Sequence, residues 1–109
     1  MGAAGWALLA AMLAAPAQER VIQVTAKRFE FSPAVIELKV GEPVVLELTS
    51  LDRRHGFAVK ELNIDETIEP GKTLRLRVVP ARAGTYDFHC SLFCGSGHED
   101  MAGRIVVAP

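Results

Sequence analysis

Between Cys90 and Met101 the chain spaces two cysteines, a histidine and a methionine as C-x3-C-x3-H-x2-M, and both cysteines of the 109-residue sequence lie there. Thiolate, imidazole and thioether together form a soft donor set, which selects copper over hard cations. Two thiolates on one short loop can each bridge a pair of metal ions. The flanks constrain the fold further. Gly84 opens a run in which Tyr86, Phe88 and Cys90 share one face while Asp87 and His89 share the other, and Gly103 to Val107 forms a second apolar run. Such period-2 alternation is a strand signal. Cys90 therefore ends one strand and Met101 stands just before another, with Gly95 and Gly97 allowing the loop backbone angles closed to other residues.

The rest of the chain repeats the strand pattern. Val21 to Ala26 places Ile22 and Val24 opposite Gln23 and Thr25. Phe29 and Phe31 share a face before Pro33, and Ile36, Leu38 and Val40 point inward from Val35 to Val40. Gly41-Glu42-Pro43 reads as a turn. Val44, Leu46 and Leu48 then face a core, as do Leu74, Leu76 and Val78 against Arg75 and Arg77. Phe57 to Val59 reads as a short strand, and Glu61 to Glu69 as a polar connection with room for one helical turn. These seven or eight short strands, without an amphipathic helix, predict an all-β, Greek-key β-sandwich. Periodicity fits an immunoglobulin-like sandwich equally well.

Residues 1–17 carry no charge, are mostly Ala, Leu and Gly, and end in Ala15-Pro16-Ala17. They read as a secretory signal or short N-terminal anchor, leaving residues 18–109 as one domain in a periplasmic or other extracytoplasmic compartment. The net charge of −1 implies neither nucleic acid nor an anionic membrane surface as partner. Membrane contact is expected only through a partner or an uncleaved N-terminal segment. Two cysteines in an exported chain ordinarily pair, but a bridge from Cys90 to Cys94 closes a small loop and stabilises little. Metal ligation is the better use, and the disulfide is the expected metal-free state.

Single residues have plainer readings. His55 after Arg53-Arg54 would by itself be a solvated loop residue, and Met101 would be core filling. The downstream motif shifts both towards ligation. Strand alternation turns His89 away from the ligand face, and Glu99 and Asp100 read as a solvated loop edge. Asp52 is a candidate to orient the imidazole of His55. Tyr86 is expected to brace a sandwich corner through its hydroxyl. No open position for a substrate is evident, so the chain is not expected to be an enzyme on its own.

Taken together, Asp52-Arg53-Arg54-His55-Gly56-Phe57, Glu69-Pro70-Gly71-Lys72, Gly84-Thr85-Tyr86, the Cys90–Met101 loop and Met101-Ala102-Gly103-Arg104-Ile105-Val106-Val107 resemble the copper A domain of haem-copper oxidase subunit II, in the form found in ba3-type oxidases. The resemblance runs from about Phe29 to Val107 and implies a cupredoxin fold. It also implies a dinuclear copper A centre that passes single electrons. Cys90 and Cys94 would be its bridging thiolates, and His55 and His98 would each cap one ion. Met101 and the backbone carbonyl of Leu92 would be weak ligands. The implied partners are a c-type cytochrome as donor and a haem-copper oxidase as acceptor. Two other functions fit the same residues: copper storage or delivery to a terminal oxidase, and a mononuclear blue-copper carrier using His55, Cys94, His98 and Met101. The last leaves Cys90 without a role.

Overall fold

A computed structural model describes residues 19–109; the expected signal segment, residues 1–17, lies outside them. The described residues form nine strands: β1 (Arg20–Lys27), β2 (Glu30–Ser32), β3 (Val35–Lys39), β4 (Val44–Ser50), β5 (His55–Val59), β6 (Ile64–Ile68), β7 (Leu74–Val78), β8 (Gly84–His89) and β9 (Ala102–Ala108). Single 3-10 turns occur at Lys60–Leu62 and His98–Asp100. One sheet has the order β2-β1-β4-β7 and the other β3-β9-β8-β5-β6. The expected β-sandwich is therefore present.

The alternation seen in the sequence becomes the inner face of each sheet. Val44, Leu46 and Leu48 of β4 are buried, as are Ile36 and Leu38 of β3 and Ile105 and Val107 of β9. Two pairings are parallel, β1 with β4 and β3 with β9. Parallel neighbours need crossovers rather than hairpins, so the chain passes between sheets. This feature separates the sandwich from one built of antiparallel pairs alone. On the outer face Glu47 and Arg75 stand opposite each other across β4 and β7 and form an ion pair of 2.8 Å.

At the end of the sandwich that carries the cysteines, Phe31, Phe57 and Phe88 interlock. Phe31 meets the other two edge-on, with centroids 5.9 and 5.2 Å away, and Phe57 and Phe88 lie 5.0 Å apart. Edge-to-face rings add to the stabilisation from area burial. Tyr86 behaves as expected, its hydroxyl donating to the carbonyl of Arg82 at 2.8 Å.

Three local expectations need correction. The polar connection expected from Glu61 to Glu69 holds the anticipated helical turn, at Lys60–Leu62, but also an unforeseen strand, β6. β6 is an edge strand paired only with β5, and Asp65, Glu66 and Thr67 are exposed. With so little of it facing the core, its sequence need not alternate. β5 begins at His55 rather than Phe57, and all five of its residues are buried. Val40 is not inward: it follows the end of β3 and is 41% exposed.

Truncating Phe88, fully buried in the aromatic cluster, should cost about 3–5 kcal/mol in the Phe88→Ala variant. Val40→Ala should change stability by less than about 0.5 kcal/mol. Urea unfolding of the metal-free domain measures both, and a large loss at Val40 would place that residue back in the core.

Candidate metal centre

The loop between β8 and β9 is pinned at its base. The last register pair of the two strands is His89 with Ala102, and the backbone N–H of Cys90 donates to the carbonyl of Met101 at 3.0 Å. The first and last side chains of the motif are thus held at neighbouring points of one sheet. Above that base the chain turns tightly: His98 N–H reaches Gly95 O, Asp100 N–H reaches Gly97 O, and Met101 N–H reaches His98 O.

The third contributor comes from outside the loop. β5 meets β8 only at Ala58 opposite His89 and then runs on beyond it. His55 consequently lies over the ligand loop. Gly56 makes that approach possible, because a Cβ there would stand 2.7 Å from the backbone nitrogens of both Ser91 and Leu92. Gly97 has a similar reason to lack a side chain: a Cβ would meet the Phe29 ring at 2.5 Å. Its φ of −95° is open to any residue, so of the two loop glycines only Gly95, at φ 142°, needs unusual backbone freedom.

The structure brings together all six residues singled out in the sequence. His55 Nδ1 is 3.9 Å from Cys90 Sγ, and Cys90 Sγ is 3.6 Å from Cys94 Sγ. Cys94 Sγ is 3.7 Å from both His98 Nδ1 and Met101 Sδ. The Cys90 thiol donates to Leu92 O at 3.0 Å. Both cysteines are free, not joined in the disulfide expected of the metal-free chain. The donor atoms of His55, Cys90 and Cys94 all lie within 4.8 Å of one another. His55, Cys90, Cys94 and Met101 are buried, whereas His98 is only half-buried. Soft donors thus converge in a largely buried site, which fits copper.

A carboxylate orients His55. Burial works against the charged carboxylate of Asp52. Hydrogen bonds from the Arg28 N–H at 2.8 Å, the His55 ring at 2.7 Å and the Arg53 N–H at 2.6 Å outweigh it. They hold the Asp52 carboxyl well below the usual carboxylate range. An ionised Asp52 accepts a hydrogen bond from His55 Nε2, which turns Nδ1 towards Cys90. Asp52 is therefore the orienting residue the sequence pointed to. His89 and the carboxylates of Glu99 and Asp100 are exposed, as expected. Phe93, on which the sequence drew no attention, is 70% exposed with its ring centroid 5.6 Å from that of His98. The only hint of it was a large apolar residue inside a polar loop.

Two predictions concern the metal-free domain. Burial, and next the neighbouring Cys90 sulfur, push the Cys94 thiol from 9.0 up to about 11. The folded state then keeps a proton that the unfolded chain gives up, so stability falls as pH rises from about 9 to about 11. Melting temperature should drop over that window and drop less in Cys94→Ser, which has no thiol to titrate. Gly56→Ala should cost about 1–3 kcal/mol through overpacking against the Ser91–Leu92 backbone. It should also weaken copper binding; calorimetry and a copper titration read the two effects.

Comparison with known proteins agrees with this geometry. Residues 1–107 match the family described as the cupredoxin-like domain. Cytochrome c oxidase subunit 2 of Thermus thermophilus is 38% identical over 86 residues, which cover 79% of this chain and 64% of the relative. Nitrous-oxide reductase of Cupriavidus necator is 31% identical over 90 residues, 79% of this chain but only 14% of that enzyme. The chain thus spans less than two thirds of the relatives it matches. Among solved structures, a haem-copper terminal oxidase dimer aligns with a TM-score of 0.74 at 25% identity, covering 95% of this chain and 88% of the other. The periplasmic domain of cytochrome oxidase subunit II from Bradyrhizobium japonicum aligns with a TM-score of 0.76 at 18% identity, covering 85% and 86%. The chain belongs to the cupredoxin-like domain family, is similar to cytochrome c oxidase subunit 2, and brings His55, Cys90 and Cys94 into a group able to hold a metal ion.

Proposed function

We propose that the domain is an extracytoplasmic electron carrier whose copper end holds two copper ions, with an oxidase-type role between a c-type cytochrome and a haem-copper oxidase. One observation carries the dinuclear reading: the two histidines sit against different sulfurs. His55 Nδ1 adjoins Cys90, whereas His98 Nδ1 adjoins Cys94. The weak donors divide in the same way, Leu92 O beside Cys90 and Met101 Sδ beside Cys94. A mononuclear site built on His55, Cys94, His98 and Met101 would leave Cys90 between its histidine and its cysteine. A second ion uses that sulfur.

Bound there, a copper pair supplies a one-electron couple shared over two ions. The chain's own residues keep the site rigid. Cys90 and Met101 are fixed by the β8–β9 register, and His55 by β5. Asp52 orients the imidazole, while the Phe31, Phe57 and Phe88 rings pack in the same buried cluster as both cysteines and Met101. Rigid support limits rearrangement between oxidation states. Cys90 and Cys94 must each lose a proton to ligate, so copper loading releases protons and tightens as pH rises. In this reading the domain relays electrons. Export is consistent with the apolar stretch at residues 1–17 and with the periplasmic location named for the Bradyrhizobium domain.

Copper-loaded protein should contain two ions per chain and give a paramagnetic signal split by both nuclei. Cys90→Ser and Cys94→Ser should each abolish that signal. Met101→Leu should retain both ions and raise the reduction potential. Saturation at one copper with a blue absorption band would rule the dinuclear centre out.

A further inference from the structure

The surface above the centre is chemically distinctive. A notch of about 500 Å³ is lined by Arg28, Arg53, Arg54, Leu92 and Phe93. Every charged residue in that lining is an arginine, and Glu99 and Asp100 are not part of it. Two of the guanidinium groups are tethered, Arg28 to Asp52 at 3.5 Å and Arg54 to Glu69 at 3.3 Å. Arg53 makes no ion pair among the described residues. Next to the arginines Phe93 stands 70% exposed, with its ring against His98. Leu51, 64% exposed, heads the segment that carries Arg53 and Arg54.

The geometry points to a docking surface for an acidic redox protein at the copper end of the domain, with Arg53 and its neighbours as the charged rim and Phe93 as the apolar centre. This rests on the electron-transfer reading of the centre. Carboxylates are the natural complement of a guanidinium cluster. Exposed aromatic and arginine side chains are the types enriched at interfaces. Weak redox encounters bury less than about 1,200 Å², so a rim of a few residues suffices. Phe93 lies in the loop that carries His98, a half-buried member of the ligand set. A haem edge seated on Phe93 is therefore close to the part of the site that reaches the surface. One electron then leaves the partner's ferrous haem and reduces the copper centre; no bond forms or breaks, and no proton moves.

The test compares two reduced c-type cytochromes of similar potential, one strongly acidic and one basic, mixed with oxidised copper-loaded protein in a stopped-flow instrument. The acidic cytochrome should react faster, and its rate should fall as salt shortens the Debye length to below about 10 Å. Arg53→Glu and Arg54→Glu should each slow it about tenfold at low salt and flatten the salt dependence. Phe93→Ala should slow it at every salt concentration without altering that dependence. Copper content should be unchanged in all three variants. Equal or faster reaction with the basic cytochrome, a rate that rises with salt, or arginine variants that react like the parent would overturn the docking surface. An electrode separates the two readings. A reversible one-electron wave without charge preference sinks the docking surface alone, whereas absence of any wave sinks the electron-transfer function and the docking surface with it.

Discussion

The hydrogen bond from Cys90 N–H to Met101 O, continuing the β8–β9 ladder by one step, is the constraint on which the site depends. It makes the ligand loop a hairpin loop with a fixed base, so its first and last donors inherit the precision of a sheet. The loop is then pressed from one side by β5, through Gly56, and from another by the Phe29 ring against Gly97. Donor atoms 3.6–3.9 Å apart are the result. Preorganisation of this kind comes from strand pairing and steric contact, not from the metal.

Burial then sets the chemistry of the ligands. Cys94 is fully buried, and its thiol resists ionisation. Asp52, on the far side of His55, is the counterexample, a carboxylate held charged by backbone N–H groups and the His55 ring despite partial burial. The pair of effects sets a Cys94 thiol that resists ionisation near an imidazole whose Nε2 is held by a carboxylate. Within the loop, residues divide by direction. Cys94 and Met101 face the aromatic cluster, while Phe93 faces solvent. Insulation and access to a partner are therefore supplied by neighbouring side chains of one segment.

Most of the sandwich was readable from alternation, because strands with one face on the core must place apolar residues at every second position. β1, β3, β4, β7, β8 and β9 all fall where that pattern runs. β6 was not readable: Ile64-Asp65-Glu66-Thr67-Ile68 sits at an edge with its middle residues in water, so it needs a partner strand but no apolar face. Val40 failed in the opposite direction, continuing the pattern of β3 by one residue after the strand had ended.

By itself the sequence determined the candidate ligands and the all-β class, because the donor chemistry of Cys, His and Met and the period of a strand are local properties. The tertiary structure alone decided that His55 leads a strand lying over the loop, that its Nε2 is taken by Asp52, and that each histidine faces a different sulfur. It also decided that Arg28, from the β1–β2 connection, joins Arg53, Arg54 and Phe93 around one notch. These are relations between residues far apart in the chain. They exist only once parallel crossovers and strand register have brought the segments together, and no local pattern encodes them.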